Sequence, residues 1–273
     1  MFVIKLKAML GMVHAPIGLF LILLVAIPLS LSGSFHTGVF LALPFALAVM
    51  GSFPLNDYRD IEKDRVNKPH RPLPSGILQP GTALILGISF EVAATACALI
   101  VSDSIGDFLF YVLLVIGAVL YNGALKLFGP AKGVYTAIFL CMPFYFVAHR
   151  SDGLNDLLFV FGVCLFFIGR ELYMDIPDVM GDSIAGMLTL PQVIGEKRSH
   201  VVSVALMACG LMLVPAAALS MAGALLLGAF CCLGVCGITL QGGFGVVTRP
   251  SILQLWFPFI LCVLITLVAG FSA

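Results

Sequence analysis

One stretch of the chain, residues 56–76, reads NDYRDIEKDRVNKPHRPLPSG. Asn56, Asp60 and Asp64 recur every fourth residue, so on a helix they line one face with Asp57 beside them. The helix must stop near Pro69, and Pro72, Pro74 and Ser75-Gly76 predict an extended segment and a turn. A second acidic stretch, residues 170–182, reads RELYMDIPDVMGD and holds Asp175, Asp178 and Asp182, with Pro177 placed to bend it. No histidine or cysteine lies between the carboxylates of either stretch. Oxygen-rich sets of this kind suit a hard cation, and Mg²⁺ prefers a few carboxylates completed by waters and substrate phosphates. Lys68, Arg71, Lys126 and Lys132 are expected on the same membrane face, suited to phosphate oxygens. The chemistry these residues point to is a Mg²⁺–diphosphate site, for a substrate with an isoprenoid-like tail.

The elements that must position them are written in the composition. The chain has 273 residues, 61% hydrophobic and only 10% charged. Repeated apolar runs of roughly 20 residues are long enough to cross a bilayer as helices. We expect an all-α, polytopic membrane bundle of nine transmembrane helices at 12–32, 36–55, 81–102, 107–124, 133–149, 154–172, 200–220, 222–240 and 252–271. It reads as a single membrane domain over residues 1–273, with the apolar run after Lys5 and Lys7 taken as the first span rather than a signal peptide. With the N-terminus in the cytoplasm, every Lys and Arg except Arg150 falls on the cytoplasmic side, so both Asp-rich loops (56–80 and 173–199) are expected there. Those loops follow the second and sixth helices, which hints at an internal repeat. A net charge of zero gives no basic field and no reason to expect nucleic acid as a partner. The eight cysteines all fall in apolar runs and read as small residues at helix contacts.

Both acidic stretches sit at the C-terminal ends of helices, where the helix dipole already disfavours negative charge. A cation must offset this. Either Arg59, Lys63 and Arg65 supply it as a solvated rim, or a metal does. Glu91 lies near mid-membrane, where a carboxyl must be neutral or paired. It reads as hydrogen-bonded to a neighbouring helix, with a catalytic role as the alternative.

The residues Asn56-Asp57-x-x-Asp60-x-x-x-Asp64, then Asn67-Lys68-Pro69-x-Arg71-Pro72-Leu73-Pro74-Ser75-Gly76, resemble the first motif of the UbiA-type intramembrane prenyltransferases. Asp175-x-x-Asp178-x-x-Gly181-Asp182, on through Ala185-Gly186 to Thr189-Leu190-Pro191, resembles that family's second motif, and Tyr121 with Lys126 resembles a further feature. The resemblance implies a helical bundle with a central cavity and Mg²⁺ ions that hold the diphosphate of a prenyl donor. An electron-rich acceptor, aromatic or a quinone precursor, then takes the prenyl group among membrane lipids. It implies Asn56, Asp60, Asp64, Asp178 and Asp182 as metal-site residues, with Asp57 and Asp175 as further carboxylates around the metals or on the acceptor side. Asn67, Lys68, Arg71 and Lys126 are implied as substrate-binding, and Tyr173 as a partner of the diphosphate or a shield for developing positive charge. The chain departs from the family pattern at His14, where an arginine often stands before the proline, and at Met174, where a lysine often stands. Both changes remove positive charge and leave the acceptor open.

Two other functions compete. A terpene cyclase on the same scaffold would ionise the donor without an acceptor; Phe139, Phe144, Tyr145 and Phe146 would then either face the cation or line a tunnel for the lipid tail. A transporter would place its charges near the bilayer midplane, and only Glu91 fits that.

Overall fold

The computed structural model describes residues 2–123, 129, 131–184, 186–241, 247 and 254–272, and among these the secondary structure is helical, without strands. The chain divides into two compact units, Met1–Phe128 with Met180–Met187, and Gly129–Val179 with Leu188–Ala273.

The first unit is built around one long helix. Its helices are α1 (Phe2–Met12), α2 (Ala15–Ser32), α3 (Phe35–Arg59), α4 (Ile61–Asn67), α5 (Pro80–Val101) and α6 (Ile105–Gly123). Helix α3 packs against α2, α5 and α6. Its apolar stretch is 56% buried, against 22% for α5, so α3 is the central helix of the unit. Ala42, Phe45, Ala46 and Val49 repeat at three- and four-residue spacing to form its inner face. Buried Glu91 of α5 faces Gly51 of α3, but neither carboxyl oxygen has a hydrogen-bond partner among the described residues. The hydrogen bond expected there is not formed among the described residues.

The predicted first span differs in one respect. Residues 2–12 are also helical, and α1 and α2 meet at a 42° bend. His14 sits at the bend with φ 49° and ψ 48°, the left-handed region that non-glycine side chains seldom adopt. Its ring lies 4.3 Å from that of Phe53 on α3.

The second unit holds α7 (Lys132–Ala148), α8 (Asp156–Asp175), a 3₁₀ turn (Ile176–Asp178), α10 (Leu190–Ile194), α11 (Glu196–Ala216), α12 (Met221–Leu240) and α13 (Trp256–Ser272); α9 (Val179–Ile184) begins where the chain passes to the first unit. Helices α8 and α11 share the most extensive packing of the unit. They approach backbone to backbone at small residues. A Cβ added to Gly162 would stand 3.0 Å from the carbonyl oxygen of Gly210, and one added to Gly169 would stand 2.6 Å from that of Ser203. Small side chains let membrane helices come this close, where packing supplies the attraction that the hydrophobic effect does not. Beside this seam Phe144, Phe166, Phe167, Trp256 and Phe259 form an aromatic core, with Phe166 stacked on Phe259 at 4.2 Å. Phe144 and Phe146 are therefore core residues, and the ring of Phe146 lies 3.6 Å from the Arg150 guanidinium. All eight cysteines carry free thiols.

Each predicted span falls on a helix, with ends shifted by a few residues. Among the described residues five helices are long and apolar enough to cross a membrane, or six if α1 and α2 count as one bent span. The helices at Ile105–Tyr121, Gly133–Ala148 and Trp256–Ser272 are apolar but shorter.

Candidate active site

The first acidic stretch is helical with one interruption. Helix α3 ends at Arg59, Asp60 takes φ −92° and ψ 11°, and α4 resumes at Ile61. The i to i+4 bonding continues through the break. The N–H of Asp60 donates to the Asn56 carbonyl at 2.9 Å, that of Asp64 to Asp60 at 2.7 Å, and that of Lys68 to Asp64 at 2.8 Å. Asn56, Asp60 and Asp64 therefore keep one register, as their spacing predicts. Asn56, Asp57 and Asp60 are half-buried and Asp64 is buried.

The helix stops at Asn67, two residues before Pro69, and the loop after it is a chain of turns. The N–H of Arg71 donates to the Lys68 carbonyl at 3.0 Å, Ser75 to Arg71 at 3.0 Å, and Leu78 to Pro72 at 3.0 Å. Gly76, at φ 76°, supplies the left-handed residue this path needs. Leu73 and Leu78 anchor the loop in a cluster with Met12 and Ala83, against which Tyr58 and Ile61 also pack. Apolar contact thus fixes where the loop sets Lys68 and Arg71. From there Arg71 Nη1 reaches Asp57 Oδ1 at 2.9 Å and Asp64 Oδ2 at 2.7 Å.

The end of the second acidic stretch meets the first inside the same unit. The N–H of Gly181 donates to Asn67 Oδ1 at 3.1 Å, a bond between residues 114 apart in sequence. Any Cβ at position 181 would overlap the Asn67 amide, so this contact requires glycine. One residue on, Asp182 is fully buried, and Lys63 Nζ stands 2.6 Å from its Oδ1. The ammonium approaches outside hydrogen-bond geometry, and neither Asp182 oxygen accepts a hydrogen bond among the described residues. Lys63 is itself 7% exposed, so it is no part of the solvated rim its sequence position suggests. Arg59 and Arg65 do lie on the exposed surface, Arg65 paired with Glu62 at 2.7 Å. Of the two sources of positive charge that the sequence left open, the solvated rim does not include Lys63. The signal for this was its place between Asp60 and Asp64, which turns it with the carboxylates.

The remaining predicted residues fall in the second unit or outside the described residues. Asp175 ends α8 and Asp178 ends the 3₁₀ turn, both half-buried and both in the second unit. Tyr173 is fully buried there, its ring 5.6 Å from that of His200, whose Nε2 lies 3.2 Å from the Thr239 carbonyl oxygen. It belongs to the buried interior of that unit. On the same turn Arg170 donates to Glu171 at 3.0 Å and stacks over Trp256. Lys126 and Ala185 lie outside the described residues, as does the side chain of Lys132.

Among the described residues no three or more His, Cys, Asp or Glu side chains gather as a metal cluster. The donor chemistry of the first unit nonetheless fits a hard cation. Asn56, Asp57, Asp60, Asp64 and Asp182 offer only oxygen or amide groups, and the buried Asp182 carboxylate has oxygens that no hydrogen bond satisfies. Such a group calls for positive charge. Lys63 and Arg71 supply it to Asp182, Asp57 and Asp64.

The family model described as the UbiA prenyltransferase family matches residues 16–257. The digeranylgeranylglyceryl phosphate synthase of Thermococcus gammatolerans is 34% identical over 178 residues, which is 63% of this chain and 63% of that protein. The synthase of the same name from Sulfolobus acidocaldarius is 31% identical over 59% of this chain and 58% of its own length. That from Thermococcus sibiricus is 31% identical over 72% and 69%. The similarity to the first two thus spans less than two thirds of their lengths. Among solved structures, the apo form of a UbiA homolog from Aeropyrum pernix K1 superposes with a TM-score of 0.73 at 21% identity, over 94% of this chain and 97% of that one. A UbiA homolog from Archaeoglobus fulgidus bound to GPP and Mg²⁺ superposes at 0.71 and 18% identity, over 97% and 98%.

Proposed function

The chain belongs to the UbiA prenyltransferase family, and from that premise we propose that it transfers a prenyl group from a prenyl diphosphate to a lipophilic acceptor within the membrane. The observation that carries this reading is the meeting of the two acidic stretches through Asn67–Gly181 and Lys63–Asp182. Asn56, Asp57, Asp60, Asp64 and Asp182 would hold Mg²⁺, and Asp175 and Asp178 of the second unit keep the metal-site role that the resemblance implies. Bound Mg²⁺ would neutralise the diphosphate and make it a better leaving group.

The chain's own residues do the rest. Arg71 presents a planar fork of donors that suits diphosphate oxygens, and it already bridges two carboxylates. Lys68, at the end of α4, adds a second cation on the loop. The loop's apolar anchor at Leu73 and Leu78 keeps both side chains positioned without help from substrate. Asn67 ties the second stretch to the first, so it acts by holding position as well as by any contact with substrate. Lys126 and Tyr173 remain proposed substrate-side residues.

The acceptor follows the relatives' name, which speaks of a glyceryl phosphate with two geranylgeranyl chains. We take a glycerophosphate-type lipid as the first acceptor class and a geranylgeranyl group as the first donor. The aromatic or quinone-precursor acceptor is the second class. The chain acts as one membrane domain of nine spans with the N-terminus and both Asp-rich loops in the cytoplasm, supported by the distribution of Lys and Arg.

The experiment supplies purified protein with Mg²⁺ and labelled prenyl diphosphates, with a glycerophosphate lipid, with an aromatic acid, or with no acceptor. A prenylated glycerophosphate should form only when that acceptor is present. Product with the aromatic acid alone would move the acceptor class. Rapid formation of one cyclic terpene without any acceptor would sink the transferase reading and promote the cyclase.

A further inference from the structure

Lys63 and Asp182 are both buried, at 7% and 0% exposure, with Nζ and Oδ1 2.6 Å apart. Among the described residues neither carboxylate oxygen of Asp182 accepts a hydrogen bond. Its backbone is held separately, through Gly181 and Asn67, so the pair is not needed to bring the two stretches together. Arg71 treats Asp57 and Asp64 in a comparable way, but it is about a third exposed and lies on a loop. Lys63 lies inside α4 with its charge enclosed. A fixed cation on a buried carboxylate lowers what that carboxylate can offer a second cation, because the two compete for the same negative charge at short range.

We propose that Lys63 is a built-in counter-ion of Asp182 that competes with the divalent cation for this carboxylate, and so weakens metal binding until the diphosphate adds its own negative charge. The proposal rests on the reading that the acidic site takes a divalent cation with a diphosphate. It assigns Lys63 a regulating role at that site, coupling metal occupancy to substrate.

The test uses the full chain in detergent, without prenyl diphosphate. Binding of Mn²⁺ is titrated by electron paramagnetic resonance, and thermal unfolding is followed in EDTA and in Mg²⁺. Lys63→Met should bind Mn²⁺ at least about tenfold more tightly than the parent, and Mg²⁺ should raise its Tm more. Lys63→Arg should stay within about twofold of the parent, since it keeps the charge. The double variant Lys63→Met/Asp182→Asn should lose the gain in affinity and unfold in EDTA near the parent's Tm. Unchanged or weaker Mn²⁺ binding by Lys63→Met, or an equal fall in Tm with and without Mg²⁺, would make Lys63 a structural tie only and overturn the proposal. Should Lys63→Met not fold, the double variant decides: the proposal requires it to fold, because the unpaired charge is gone, and its failure to fold overturns the proposal. A chain that binds Mn²⁺ with this pattern yet turns over no prenyl diphosphate defeats the transferase reading and leaves this one standing. Normal turnover with unchanged Mn²⁺ affinity defeats only this one.

Discussion

At the scale of single residues, the site is a set of carboxylates whose charge is met at short range. Arg71 pairs with Asp57 and Asp64 and Lys63 with Asp182, while Asp60 sits at the break between α3 and α4. Asp60→Asn keeps the shape and removes one charge. Turnover should fall by roughly 10²–10³-fold, while the yield of folded protein in detergent stays close to the parent's. Near-parental turnover at saturating Mg²⁺ would remove Asp60 from the metal site. Gly181 makes a different demand. Gly181→Ala would drive a methyl group into the Asn67 amide and break the bond to Asn67 Oδ1. A loss of about 1–3 kcal/mol is expected, read as a lower Tm. Adding Asn67→Ala should recover part of the Tm but not the activity, because space is restored while the tie between the stretches is not.

Elements decide whether those residues can meet. Helix α4 restarts within one residue of α3, so the carboxylates keep their register although the helix is interrupted at Asp60. In the second unit the seam between α8 and α11 depends on backbone contact at Gly162 and Gly210. Gly210→Val would force the helices apart and should destabilise the folded protein by at least ~2 kcal/mol. The check is thermal unfolding by tryptophan fluorescence, since Trp256 packs in the adjoining aromatic core. A Tm within a degree of the parent's would mean that the seam tolerates separation.

For the molecule as a whole, orientation carries a prediction of its own. With native cysteines removed, Arg65→Cys and Lys197→Cys should react with a membrane-impermeant thiol reagent only after the inner face is opened. Labelling of either from outside intact cells would overturn the cytoplasmic placement of both loops. Both positions are exposed, so accessibility within the protein does not confuse the result.

By itself the sequence determined what local rules can reach. Apolar run length marked the long apolar helices to within a few residues, Pro69 ended α4, and four-residue spacing set Asn56, Asp60 and Asp64 in one register. Oxygen-only donors named a hard cation from residue type alone. The tertiary structure decided the pairings. The sequence left Lys63 open as surface charge because a helix position says nothing of what lies opposite it, and only the fold sets Asp182 there. Gly181 appears in the sequence only as part of a motif, and the fold alone sets Asn67 in the space beside it. The bend at His14 was equally hidden, since the apolar run continues through it while the backbone does not. Such contacts join residues far apart in sequence, and no periodicity within a helix records them.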